Sequence, residues 1–249
     1  MEAVILLAGY GSRLNRQDIP HKSLLPFGND TLLSRHLSCL QELEIDRTHL
    51  VLGHNKEKVE NYVRSLQLGL PIQFIDNKVY RTTGNTLSMV MGLQQCAGDV
   101  LILDGDVLYP RSVFIDYARQ SDASSFAMTP GNIDDEESAK VLLKPSGVIH
   151  AFITKRHLTE AEKNGFKFGG EAIGFFKLSA QNVKKFLDLY AKEEAEYENV
   201  LWEIPFTEFA QQADLKTWTT ANTDCFEIDT QEEYQHALDY FERNRDMYG

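Results

Sequence analysis

Apolar runs of strand length alternate with apolar residues at helical spacing through the first half of the chain. Ala3 to Ala8 is a continuous apolar run, the pattern of a strand buried on both faces. Leu33, His36, Leu37, Leu40 and Leu43 recur at helical spacing, with Asn29 or Asp30 placed to cap that helix near Thr31 and His36 read as structural. Leu50 to Gly53 predicts a strand, Val59, Tyr62, Val63 and Leu66 a helix, and Pro71 to Ile75 a further strand. Leu87, Val90 and Met91 mark the next helix and Val100 to Leu103 the next buried strand. Strands alternating with helices in this way predict a three-layer α/β/α, Rossmann-like wound sheet, mixed but mostly parallel.

The pattern changes after Pro110, which fits the first turn of a helix carrying Val113, Phe114 and Tyr117. Ser124 to Met128 reads as a strand, and Gly131 to Ser138 is acidic and aperiodic, like a seam. Lys140 to Lys144 and Val148 to Thr154 flank Pro145-Ser146-Gly147 as a hairpin. Phe168 to Leu178 predicts a long strand. Helices follow through Val183, Phe186, Leu187 and Tyr190 and through Val200, Leu201, Ile204, Phe206 and Phe209. Leu215 to Thr220 is a late strand, and Gln231 to Asp246 an amphipathic closing helix. With no repeat, low-complexity tract or linker, residues 1–249 read as one domain, its halves (1–130 and 131–249) meeting at the seam.

A formal net charge of −12 argues against non-specific nucleic-acid binding, which needs a basic surface. No apolar run approaches the roughly 20 residues of a membrane span, and no leader pattern precedes the first strand. Cys39, Cys96 and Cys225 lack metal-ligand spacing and read as reduced thiols of a cytoplasmic protein. An acidic chain that handles an anionic substrate needs local positive charge and a divalent cation. Arg13, Arg16 and Lys22 cluster beside Gly9 and Gly11, where a tight loop can turn its amides toward an anion. The dinucleotide fingerprint would need glycine at position 14, which is Leu14, and no P-loop string is present.

Three further stretches carry chemistry. Thr82 to Ser88 is small and polar, suited either to a helix cap or to a loop that admits a flat base. Asp104-Gly105-Asp106 follows a buried strand, where wound sheets bind ligands; it suits a turn or oxygen ligands for Mg²⁺. Alternation in Phe226-Glu227-Ile228-Asp229-Thr230 puts Glu227 and Asp229 on one side, a costly pairing unless a cation or hydrogen bond compensates.

The string Leu7-Ala8-Gly9-Tyr10-Gly11-Ser12-Arg13-Leu14, then Lys22 with Leu25-Pro26-Phe27, resembles the N-terminal signature of the sugar-phosphate and choline-phosphate nucleotidyltransferases. In that family the lysine usually follows proline directly, whereas here His21 intervenes after Pro20. The resemblance extends to the Asn85 loop, Gly105-Asp106, Gly170-Glu171-Ala172-Ile173-Gly174 and Glu227-Ile228-Asp229-Thr230, and is nearest the small choline-phosphate and aminoethylphosphonate cytidylyltransferases. It implies a Mg²⁺-dependent transfer of a nucleotidyl group, with CTP as donor, to a small phosphorylated or phosphonate acceptor, releasing pyrophosphate. It implies nucleotide contacts from Leu7, Ala8, Gly9, Gly11, Ser12, Arg13, Lys22, Thr83, Gly84, Asn85, Thr86 and Asp104. Arg13 would neutralise the leaving phosphates, Lys22 the α-phosphate, and Asp106 and Asp229 would share the metal.

For the acceptor, Lys144 and Lys155 suit a phosphate, while Glu171 and Glu203 with Trp202 or Tyr197 suit a cationic amine. Glu171 also matches the family's acceptor strand. A uridylyl-, thymidylyl- or guanylyltransferase acting on sugar 1-phosphates, a nicotinamide-dependent dehydrogenase and a non-catalytic nucleotide-binding regulatory domain are the alternatives. The oligomeric state stays open.

Overall fold

A computed structural model describes residues 1–14, 16, 18–221 and 224–248; Asn15 and Gln17 of the opening signature, and Gly249, lie outside the described residues. In chain order the elements are β1 (Glu2–Leu7), β2 (Pro26–Phe27), β3 (Asp30–Thr31), α1 (Leu32–Glu42), β4 (Arg47–Leu52), α2 (Lys56–Ser65), β5 (Ile72–Asp76), α3 (Asn85–Leu93), β6 (Val100–Asp104), β7 (Val107–Leu108) and α4 (Arg111–Ala118). Then come β8 (Ser125–Thr129), β9 (Lys140–Leu143), β10 (Ile149–Ile153), α5 (Glu160–Gly165), β11 (Lys167–Leu178), α6 (Ala180–Lys192), α7 (Glu194–Tyr197), α8 (Glu203–Gln212), β12 (Lys216–Thr219), β13 (Phe226–Glu227), α9 (Gln231–Arg243) and α10 (Arg245–Tyr248). Among the described residues no helix is long and apolar enough to cross a membrane.

The main sheet runs β10-β9-β11-β6-β1-β4-β5, with β8 and β12 branching from β11. β1 lies between β4 and β6 and is parallel to both. Its continuous apolar run is explained by two cores: Val4 and Leu6 pack into one, Ala3, Ile5 and Leu7 into the other. The polar loops that follow β1 and β6 therefore emerge at one edge, the edge where wound sheets bind ligands.

Beyond β6 the sheet turns antiparallel. β11 pairs β6 through Phe175–Leu178 and β9 through Lys167–Glu171 along one side, and β8 along the other. Its register shifts between Ala172 and Phe176, around Gly174 at φ 86. A third core joins Leu14, Leu25 and Phe27 of the opening stretch to Ile228, Tyr234, Phe241 and Tyr248, so the last motif is packed against the first.

Local differences from the sequence reading have simple causes. Thr31, not Asn29 or Asp30, caps α1, in a reciprocal capping box with Ser34. The helix expected from Val200 starts only at Glu203, because the chain before it braces the start of α3: the Gly84 amide donates to the Glu198 carbonyl at 2.8 Å and the Thr86 hydroxyl to the Val200 carbonyl at 2.8 Å. The closing helix breaks at Asn244. The two-residue ladder β7–β13 was too short to carry a periodic signal.

Candidate active site

The site is assembled by that short ladder. Glu227 pairs with Val107 across β13 and β7, and the Ile228 amide donates to the Asp106 carbonyl at 3.0 Å. Residues more than a hundred positions apart are thus held side by side. Thr230 caps α9, and Glu233 completes the capping box by accepting from the Asp229 and Thr230 amides at 2.7 Å each. The backbone of Asp229 is fixed in this way while its carboxylate faces the cleft. Carboxylate oxygens of Asp106, Glu227 and Asp229 lie within 4.8 Å of one another.

Lys22 reaches this cluster from a 3₁₀ turn, Lys22–Leu24. His21 is what seats the turn. Its Nδ1 accepts from the Ser23 amide at 3.1 Å, and its backbone is extended at φ −153. Proline, whose φ is fixed near −65°, does not reach that conformation. With Nδ1 accepting, the proton is on the buried Nε2. Burial, with the nearby His54, lowers the His21 pKa to about 4, so the ring is neutral.

The Lys22 ammonium lies 2.8 Å from Asp106 Oδ2 and 2.5 Å from Asp229 Oδ1, with 10% of its side chain exposed. Burial acts to lower its pKa, but the two carboxylates outweigh burial and hold it above the ordinary lysine value. Arg13 also bonds Asp229, and Lys155 stands 3.9 Å from the same carboxylate. Glu137 links Arg13 and Lys155 at 3.4 and 3.1 Å.

The cleft has a volume of about 290 Å³. Among the described residues six carboxyl groups (Asp104, Asp106, Glu137, Glu203, Glu227 and Asp229) and three cations (Arg13, Lys22 and Lys155) line it. The excess of negative charge shows in the pKa values. Burial and then Asp106 push Asp104 well up; Glu227, whose side chain stays open to solvent, is pushed up by its position between the walls of the cleft and by the nearby Asp106 and Asp229. Burial pushes Glu203 up to about 7. Its Oε2 is buried with no partner among the described residues, in the first turn of α8. An all-oxygen donor set in a cleft with more carboxyl groups than cations is the chemistry that suits Mg²⁺, so Asp106, Glu227 and Asp229 fit such an ion.

Most of the residues expected to hold a nucleotide are brought together around the cleft. Leu7, Gly9, Gly11, Ser12, Arg13, Lys22, Asn85 and Asp104 line the cleft. Ala8, Thr83 and Gly84 line an adjoining cavity of about 180 Å³ that shares Gly9, Asn85, Asp104 and Asp106 with it. Gly9 has open space where a Cβ would stand. Thr86 is a correction: it is fully buried and spends its hydroxyl on Val200.

The acceptor residues are more scattered. Lys155 and Glu203 reach the cleft. Lys144 does not belong to it: β9 and β10 are antiparallel, so Lys144 and Lys155 leave opposite ends of the hairpin, roughly 13 Å apart for a four-residue strand. Lys144 instead donates to Gln211 at 2.5 Å. Trp202 is 2% exposed, its ring among Phe126, Phe152, Phe176 and Phe206, so it presents no open face to a cation. It still lines the cleft beside Asp104. Its amide donates to Asn85 Oδ1 at 2.8 Å. Glu171 lies in a second adjoining cavity of about 200 Å³ and accepts from the Asn132 amide at 2.9 Å, pinning the seam. Tyr197 is buried, its hydroxyl on Glu208. Sequence reasoning missed Asn77 and Tyr80 in the cavity beside Asn85, for which no local signal exists; it paired Glu227 with Asp229 by alternation but assigned only Asp106 and Asp229 to the metal, whereas all three carboxylates cluster.

These features agree with what the chain is similar to. The protein is 29% identical over 180 residues to the bifunctional protein GlmU of Gloeobacter violaceus, a match covering 70% of this chain and 38% of that protein. The chain therefore spans well under half of that relative's length. It is 26% identical over 251 residues to a choline-phosphate cytidylyltransferase of Haemophilus influenzae, covering 99% of this chain and 100% of the relative. The solved CTP:phosphocholine cytidylyltransferase of Streptococcus pneumoniae (LicC) shares the fold at a TM-score of 0.76 and 18% identity, over 96% of this chain and 98% of that one. Residues 3–158 match the MobA-like NTP transferase domain, and the chain belongs to that family of nucleotidyltransferases.

Proposed function

We propose that the protein transfers the CMP part of CTP to a small phosphorylated or phosphonate acceptor that carries an amine, releasing pyrophosphate, in the presence of Mg²⁺. An acceptor oxygen attacks the α-phosphorus; the bond from that phosphorus to the bridging oxygen breaks, and its electron pair leaves with pyrophosphate. In this reading residues 1–130 form the nucleotide half and residues 131–249 the acceptor half of one domain.

The observation that carries the amine is Glu203. A buried carboxyl with an unpartnered oxygen in a cleft wall is costly unless a ligand satisfies it, and an ammonium does so best. The full-length similarity to a choline-phosphate cytidylyltransferase supports CTP as donor.

The chain's own residues then have these tasks. The amides around Gly9, Gly11 and Ser12 hold the triphosphate. Arg13 and Lys22 meet charge that grows on the leaving and α-phosphate oxygens, and because both are fixed before reaction little reorganisation is needed. Lys155 meets the acceptor's phosphate. Asp106 and Asp229, with Glu227 beside them, would hold Mg²⁺, which supplies Lewis-acid charge neutralisation at the phosphates. Ala8, Asn77, Tyr80, Thr83, Gly84, Asn85 and Ser88 bound the cavity suited to the base.

Pyrophosphate release tests this reading, with CTP, UTP, dTTP and GTP each paired with choline phosphate, ethanolamine phosphate, 2-aminoethylphosphonate and glucose 1-phosphate. CTP with an amine-bearing acceptor is expected to be fastest. Faster turnover of glucose 1-phosphate with UTP or dTTP would replace this reading with a sugar-nucleotide one.

A further inference from the structure

We infer that Lys22 is a resident counter-ion that keeps free divalent metal off Asp106 and Asp229, so that metal enters only together with the nucleotide. This rests on the reading of these carboxylates as the metal pair. The ammonium bridges both, at 2.8 and 2.5 Å, and Arg13 bonds Asp229 as well. Lys155 approaches that same carboxylate at 3.9 Å. The Lys22 side chain is nearly enclosed, so it cannot simply swing into water.

A free metal ion arriving alone would have to displace this ammonium and leave it enclosed beside a second positive charge, with the metal occupying both carboxylates that hold it. A metal–nucleotide complex removes the difficulty. Its phosphates offer new anionic partners to Lys22 and Arg13, which releases the carboxylates as the metal arrives. The lysine that serves the α-phosphate is thus the group that sets the order of binding. By linkage, nucleotide must raise metal affinity by the same factor that metal raises nucleotide affinity.

The test measures Mn²⁺ binding by electron paramagnetic resonance and water-proton relaxation, on the full chain, with no turnover involved. Wild-type protein should bind Mn²⁺ weakly alone and at least about tenfold more tightly with α,β-methylene-CTP, after correction for Mn²⁺ held by free nucleotide. Lys22→Gln should gain about tenfold or more in affinity for Mn²⁺ alone, although it loses turnover. Adding Asp106→Asn to Lys22→Gln should erase that gain. The wild-type comparison with and without nucleotide needs no variant, so misfolding of Lys22→Gln cannot leave the matter undecided.

Equal Mn²⁺ affinity in wild type and Lys22→Gln, both weakened by Asp106→Asn, would overturn the counter-ion role and leave the metal pair standing. Mn²⁺ binding indifferent to Asp106→Asn, with or without nucleotide, would overturn the metal pair and this inference with it.

Discussion

On the side of the cleft we propose for the nucleotide, side chains come from loops that directly follow parallel strands; on the side proposed for the acceptor they come from hairpin ends, a bulged strand and a helix start. Asp104 ends β6 beside Leu6 of the parallel β1, and Gly9 follows just past the end of β1, so residues far apart in sequence reach one edge together. Lys144 and Lys155 end two antiparallel strands, so residues close in sequence are driven apart. A parallel wound sheet gives every strand end the same address, whereas an antiparallel one alternates addresses. Each of the following variants sharpens or breaks that contrast.

The largest effect is expected at Lys22. Lys22→Ala should lower kcat by about 10²–10³, the usual loss for one preorganised donor to a developing charge. Arg13→Ala should cost less, because Arg13 is 49% exposed and water screens its charge. Both are read by pyrophosphate release at saturating CTP. A rise in the CTP KM with kcat unchanged would reduce both residues to uniform binding.

Two glycines separate a ligand's demand from the fold's. A Cβ on Gly84 would stand 1.9 Å from the Val200 carbonyl oxygen, so Gly84→Ala should destabilise by about 1–3 kcal/mol or more and lower Tm. Gly9→Ala should leave Tm unchanged and weaken CTP binding, measured by calorimetry. Equal Tm losses in both would mean the open space at Gly9 is not for a ligand.

Glu203→Gln should raise the KM for amine-bearing acceptors by about tenfold, near 1.4 kcal/mol, with little change in the CTP KM. Tm should hold or rise, since a buried carboxyl is removed. An unchanged acceptor KM would detach Glu203 from the amine. The smallest effect is expected at Lys144. Lys144→Ala should stay within about twofold of wild type in kcat/KM, as a surface change far from such features does, while Lys155→Ala should weaken acceptor use; equal losses would deny the hairpin argument.

The Gly9–Asp104 edge of the cleft was legible in the sequence because continuous apolar runs announce buried parallel strands, and the glycines and carboxylates sit at their ends. Even there Thr86 was misassigned, since nothing local reveals that Val200 crosses above it. On the acceptor side, composition alone named Trp202, but its apolar area is satisfied by four phenylalanines. His21 looked like a spacing fault; only the extended backbone and the bond to Ser23 show it as the cap that delivers Lys22.

The most direct test of the account is a double-mutant cycle on Asp106 and Asp229, carried by the short ladder that joins the first half of the chain to its end. Asp106→Asn and Asp229→Asn should each lower kcat by about 10³ with Tm unchanged, and the double mutant should lose far less than the product of the two. Independent, multiplicative losses, or near-normal turnover in either single variant, would contradict a single metal site shared by the two carboxylates.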